Sequence, residues 1–345
     1  MQEVARPTLD LSSIKRQAIK PTSELVTIKP LLHEGVPPVL IESHLESLEL
    51  GAWCENNLSV IRELLQKHGG ILFRGFNTEG PETLTNFTHA IQLQLMNYME
   101  GATPRKAVGN NVYTSTEFPP EHTIALHNEN SYVMTWPMKI CFFCVIAPHD
   151  RGETPIADVR KVLDHISPAT RARFEDKSYM LVRNFRKHLS LPWQNSFKVS
   201  SKEELEAYCV QARIEPEWVS DDHLRTRQVR PAITRHPVTG ETVWFNHMAF
   251  WHVSSLEKDL RELLVSGYSE EGIPYNTYYG DGSRIDDDVV EEVRKAYDAE
   301  TVKFPWQKGD LLLLDNMLVA HARSPFSGPR KIVVSMGEPY TRTDM

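Results

Sequence analysis

Apolar positions recur every three to four residues in Asn57–Lys67 (NLSVIRELLQK), which predicts an amphipathic helix stopped by Gly69-Gly70. A short strand is expected at Ile71–Phe76 (ILFRGF). A second helix is expected over Pro81–Met96, with proline in its first turn. Residues 1–30 read as an arm and a first strand. Between 108 and 160 the pattern changes to β-branched and aromatic runs cut by turn residues (NNVYTST, HTIALHNENSY, MKICFFCVIAP), the signature of strands. Residues 160–228 read as helical again, strands return at 229–251, and helices are expected at Leu256–Val265 and Ile285–Tyr297. The C-terminal part reads as two strands, GDLLLLDNMLVAH and RKIVVSMGEPY, joined by the turn SPFSGP. No linker or repeat interrupts the pattern. The expectation is one β-rich α+β domain over 1–345, with flanking helices and a helical insertion at about 160–228.

Composition narrows the function classes. The 345 residues are 41% hydrophobic and 24% charged, an ordinary globular balance. Lys plus Arg is 38 against 46 Asp plus Glu, a formal net charge of -8, which disfavours long nucleic acids and anionic membranes as partners. The longest apolar run, Ile140–Ala147, is far short of the roughly 20 residues that span a bilayer. The N-terminus lacks a secretory pattern and four cysteines make no disulfide framework, so a cytoplasmic protein is expected.

Several common motifs are absent: there is no Walker A loop, no G-x-G-x-x-G, no H-E-x-x-H and no G-x-S-x-G. Cys141 and Cys144 form a C-x-x-C on a strand, where i and i+3 face opposite ways, so they read as core sulfurs. His127-Asn128-Glu129 carries more. Placed on a strand, i and i+2 share a face, which points an imidazole and a carboxylate into one space. His321 ends an apolar strand, and Arg330 opens the next one nine residues later. Two histidines and a carboxylate on one face of iron make the facial triad of non-haem Fe(II) oxygenases, which leaves positions open for a chelating cosubstrate and dioxygen. An arginine fork beside it suits the distal carboxylate of such a cosubstrate.

In these residues the chain resembles the Fe(II)/2-oxoglutarate dioxygenases of the TauD/TfdA type, and within them the branch that contains the syringomycin hydroxylase SyrP. The matching pieces occur in order: GILFRGF at Gly70–Phe76, LHNENSY at Leu126–Tyr132, GETPIADVR at Gly152–Arg160, and GDLLLLDNMLVAHARSPFSGPRKIVVSM at Gly309–Met336. The resemblance implies a double-stranded β-helix (jelly roll), with the 160–228 insertion as part of a substrate lid. It implies His127, Glu129 and His321 as iron ligands, with Arg330 and Thr154 on the distal carboxylate of 2-oxoglutarate. A glutamate rather than a small residue at 129 leaves no place for chloride and favours hydroxylation over halogenation. The implied reaction uses Fe(II), 2-oxoglutarate and dioxygen to hydroxylate an unactivated carbon of an amino acid, free or tethered to a carrier protein, in nonribosomal-peptide-type metabolism. Desaturation, epoxidation and cyclisation share that chemistry.

Other residues keep two readings. Asn130 and Tyr132 follow the carboxylate and either line the substrate pocket or pack. Arg323, two residues past His321, either binds a substrate carboxylate or pairs with an acidic neighbour. His247 and His252, in VWFNHMAFWH, read as core or rim histidines, and Trp244, Phe245, Phe250 and Trp251 as packing. Asp286-Asp287-Asp288 reads as the solvated start of a helix. Outside the class, a jelly-roll binding module without chemistry and a zinc hydrolase using the same triad stay open, as does homo-oligomerisation.

Overall fold

The structure is a computed structural model that describes residues 22–78, 80, 82–96, 100, 107–109, 112–114, 118–187 and 189–343. The arm expected at the N-terminus, through residue 21, and Pro81 lie outside these residues. An eight-stranded sheet forms the frame, in the order Val26–Pro30, Val39–Ser43, Gly70–Arg74, Leu311–Asp315, Thr135–Ile146, Lys331–Thr341, Val112–Thr114, Ala107–Gly109. Its pairings are antiparallel except Val39–Ser43 with Gly70–Arg74.

Strand alternation divides this sheet between two cores. Leu72, Ile140, Phe142, Cys144, Leu312 and Leu314 face one core. Ile71, Phe73, Cys141, Phe143, Leu311 and Leu313 face the other. The second core is closed by helices Leu50–Asn56, Leu58–His68 and Glu82–Ala90. The first is closed by a three-stranded sheet in the order Ile124–His127, Val319–Arg323, Ile156–Asp158. Cys141 and Cys144 thus point to opposite faces as free thiols, and burial pushes both up to about 12.

Four sequence expectations are corrected. The insertion is not helical throughout: Tyr179–Arg186, Glu215–Ser220 and His223–Arg230 join Tyr275–Tyr279 in a four-stranded antiparallel sheet, backed by helix Lys202–Ala212. Arginines hid these strands, because Arg183 and Arg230 are buried and spend their donors on oxygens of the fold. Arg183 bonds Ser196 Oγ at 2.7 Å, and Arg230 bonds the carbonyls of Tyr132 and Ala212 at 3.0 and 2.7 Å. The strand reading of 229–251 stops at Thr242–Trp244, because Asn246 Oδ1 accepts from Met248 N–H and starts the helix Met248–Trp251. The helix that begins at Glu82 ends at Ala90, short of Met96. GDLLLLDNMLVAH is two strands, broken at Asn316, that belong to two different sheets. No helix among the described residues is long and apolar enough to cross a membrane.

Candidate metal centre

His127 ends the first strand of the small sheet, and His321 lies opposite it on the neighbouring strand. Their ring centroids are 4.5 Å apart. Glu129 is not on the strand, contrary to the i, i+2 argument. The strand stops at His127, and Glu129 enters a turn in which Asn130 is left-handed, φ 55°. What holds the carboxylate in place is Asn316, the residue at which the strands Leu311–Asp315 and Val319–Arg323 part. Its Oδ1 accepts from Glu129 N–H at 2.8 Å, and its Nδ2 donates to the carbonyls of Glu129 and Pro137, each at 2.8 Å. Asn128 Nδ2 in turn donates to Asn316 O at 2.6 Å. Two buried asparagines thereby fix a turn to a strand break 187 residues away.

Donor atoms of His127, Glu129 and His321 lie within 4.8 Å of one another, and Glu129 Oε2 stands 3.7 Å from His321 Nε2. His127 Nδ1 donates to Ala125 O at 2.8 Å, which fixes the tautomer and leaves Nε2 as the ligating lone pair. Two imidazoles and one carboxylate, with Glu129 and His321 buried and His127 half-buried, fit a divalent transition metal of the facial-triad kind.

A small cavity joins the triad to Thr154, Arg323 and Arg330. Thr154 Oγ1 accepts from Trp306 Nε1 at 3.1 Å, which turns its own O–H away as a donor. Arg330 Nε donates to Gly152 O at 2.9 Å, with the guanidinium over the Phe326 ring. Gly152 is obligatory there: its φ is 69°, and a Cβ would lie 2.9 Å from Pro148 and 3.0 Å from Phe326. Burial, with repulsion from Arg323 behind it, pushes Arg330 down to about 10, so it is cationic at neutral pH. The arrangement suits an anion beside a metal.

Arg323 makes no ion pair with an acidic neighbour among the described residues, though the exposed Glu121 favours its charged form. Its guanidinium donates to three backbone carbonyls, those of Phe118, Pro119 and His122. Tyr132 is buried, with its hydroxyl on Glu100 O at 2.7 Å and its ring edge-on to His247 and Trp251. Asn130 is buried beside it, and the carbonyls of Tyr132 and Asn130 are both used within the fold. His247 stands outside the donor cluster. It is wedged among His127, Phe250 and Trp251, bonded to Ser131 Oγ at 2.6 Å, and burial holds it neutral. Asp286 precedes the helix Asp287–Ala299, in whose first turn Asp287 pairs with Arg261. Sequence reasoning missed Asn316 and Trp306. A polar residue in the middle of an apolar run was the only signal for the first.

A second cavity, about 450 Å³, shares Ile124 and Ala322 with the anion pocket. Phe250, whose ring lies 4.9 Å from that of His127, forms part of its wall, and Arg294, Asp298 and Lys303 also line it.

The family model for the taurine catabolism dioxygenase TauD, TfdA family matches residues 34–336. The chain is 39% identical over 279 residues to the dapdiamide synthesis protein DdaC of Enterobacter agglomerans, covering 81% of this chain and 85% of that one. It is 30% identical over 293 residues to a clavaminate synthase-like protein of Arabidopsis thaliana, covering 79% and 82%. Among solved structures it resembles PvcB from Pseudomonas aeruginosa, with a TM-score of 0.53, 17% identity and 94% of each chain covered. It also resembles AAD-2, solved with Mn(II) and N-oxalylglycine, with a TM-score of 0.51, 13% identity, and 90% and 96% covered.

Proposed function

The chain belongs to the taurine catabolism dioxygenase TauD, TfdA family, and on that premise we propose that it is an Fe(II)- and 2-oxoglutarate-dependent dioxygenase acting on an unactivated C–H bond of an amino acid or amino-acid derivative. The observation that carries this reading is the triad His127, Glu129 and His321 sharing one cavity with Thr154 and Arg330. A jelly roll is the architecture this reading implies for the two sheets that share the first core, and the family match over 34–336, which reaches every sheet, supports one domain.

When bound, iron with 2-oxoglutarate and dioxygen would supply the oxidant, the oxoacid being converted to succinate and carbon dioxide. The chain's own residues hold and aim. His127, Glu129 and His321 would hold the metal. The Ala125 carbonyl orients His127, and Asn316 orients Glu129. Arg330 and the Thr154 hydroxyl would take the distal carboxylate of the oxoacid. The aromatic wall of Phe250, Trp251, Tyr132 and His247 keeps water from the His127 side.

Two observations support an amino-acid substrate. DdaC is a synthesis protein for dapdiamide. The 450 Å³ cavity also offers Arg294 and Lys303 for a carboxylate and Asp298 for an ammonium group, against apolar walls. Delivery of that amino acid on a carrier protein is part of the proposal, as is use of the same oxidant for desaturation, epoxidation or cyclisation.

The test is anaerobic formation of the visible Fe(II)–2-oxoglutarate charge-transfer band. The band is expected in wild type, lost in His127→Ala and weakened in Arg330→Ala. Succinate release is then screened with free and carrier-bound amino acids. Folded, iron-loaded wild type that gives no band overturns the assignment.

A further inference from the structure

The guanidinium of Arg323 divides its donors. Nη1 bonds Phe118 O at 2.8 Å, and Nη2 bonds Pro119 O at 2.6 Å and His122 O at 2.8 Å. Those carbonyls lie on the segment that leads into Ile124–His127, the strand of one imidazole, while Arg323 stands two residues past the other, His321. The side chain straps the approach to the first strand onto the second where their ladder slips, between the pairs His321–His127 and Arg323–Ile124. Phe118 and Phe326 stack against the guanidinium, and Phe326 is also the ring under Arg330.

One donor is left over. Arg323 Nε is buried and has no hydrogen-bond partner among the described residues, and the side chain lines the same cavity as Thr154 and Arg330. Arg323 is 6% exposed and makes no ion pair among the described residues. Three carbonyls satisfy N–H groups but do not neutralise charge, and the carboxylate that acts on it, Glu121, is exposed and makes no ion pair with it, so the buried cation is weakly countered and costly. An anion in the cavity would relieve both deficits.

We propose that Arg323 is a positioning residue of the cosubstrate pocket. Its Nη atoms hold the 118–122 segment, while its charge and its Nε–H favour a dianionic oxoacid beside Arg330. Filling the cavity and ordering the approach to His127 are thereby coupled. The inference rests on the 2-oxoglutarate reading of the site.

The experiment is an anaerobic titration of 2-oxoglutarate into iron(II)-loaded wild type, Arg323→Gln and Arg323→Lys, followed by visible absorption. Hydrogen exchange across residues 118–126 is measured with and without the oxoacid, and thermal melts check folding. In wild type, 2-oxoglutarate slows exchange in that segment. In Arg323→Gln the dissociation constant rises at least tenfold, and the segment exchanges faster with or without ligand. Arg323→Lys keeps the charge but not the fork, so it regains part of the affinity and little of the protection. Wild-type affinity in Arg323→Gln overturns the inference, and so does exchange in wild type that ignores 2-oxoglutarate. If Arg323→Gln does not fold, wild-type affinity and protection in Arg323→Lys overturn it. Wild type that binds iron but gives no band defeats the dioxygenase assignment itself, a different outcome from a normal band that Arg323 does not influence.

Discussion

Asn316 is the residue whose loss tests the architecture of the site most directly. It is fully buried, and its side chain makes three hydrogen bonds, to Glu129 N–H, Glu129 O and Pro137 O. Asn316→Ala strands all three groups and leaves a small void. A stranded buried group costs about 1–3 kcal/mol, and carbonyls with a second lone pair fall at the low end. The expected loss is about 3–5 kcal/mol, a large part of the roughly 5–15 kcal/mol that holds a domain together. Asn316→Asp separates geometry from size. It keeps an acceptor for Glu129 N–H but sets a carboxylate oxygen against two carbonyls, so at pH 7 it is at least as damaging as alanine. On acidification the protonated acid regains one donor, and the aspartate variant gains on the alanine variant. Urea unfolding followed by circular dichroism reads the stability, and equilibrium dialysis reads Fe(II) affinity, which is expected to fall at least tenfold in both variants as Glu129 loses its anchor. An alanine variant within about 1 kcal/mol of wild type, or either variant with wild-type iron affinity, would refute the claim that this asparagine positions the carboxylate.

Further outcomes follow from other contacts. Arg74 grips buried Asp310 in a fork, Nε–Oδ1 at 2.9 Å and Nη2–Oδ2 at 2.6 Å, so Arg74→Met strands the carboxylate and costs about 3 kcal/mol in denaturant unfolding. The double variant with Asp310→Leu recovers part of that, and no recovery would count against the stranded charge as the cause. Gly69 caps its helix at φ 72°, and a Cβ there would lie 2.6 Å from Val319 Cγ2, at the start of the strand that carries His321. Gly69→Ala is therefore expected to cost about 2–4 kcal/mol and to weaken Fe(II) binding, and a melting temperature equal to wild type speaks against this. Burial pushes His252 down to about 4 from 6.5, with Asp287, Arg294 and Arg261 as its charged neighbours. The unfolded chain takes up this proton first as pH falls, so the contribution is complete above pH 6.5 and is lost between 6.5 and 4. That amounts to about 3 kcal/mol. His252→Asn, compared with wild type across that window, should show the flatter stability profile, and parallel profiles would exclude the histidine as its source.

What could be read along the chain and what could not divide by the range of the interactions concerned. The helix at Leu58–His68 and the strand at Gly70–Arg74 are specified locally, by periodicity and by the glycine stop at Gly69, and both form where the pattern puts them. The donor set His127, Glu129 and His321 was legible as residue types, because only a few chemistries use two imidazoles and a carboxylate with an arginine nearby, and the fold gathers all of them. The backbone that presents Glu129 was not legible. Strand alternation predicted a shared face for 127 and 129, whereas the strand ends at His127 and the carboxylate is aimed from a turn held by a distant asparagine. The same range effect hid the sheet in the insertion. Arg183 and Arg230 look like solvent-facing residues in a one-dimensional pattern, yet they are buried cations whose bonding partners come from 100, 132, 196 and 212. Arg230 and Gln228 meet at the Tyr132 carbonyl, three residues past Glu129. The insertion therefore braces the turn that carries Glu129. A substitution in that sheet, far from the triad in sequence, is then expected to reach the metal through Tyr132 and the turn, and Gln228→Leu is the variant in which lowered iron affinity with an intact triad would show it.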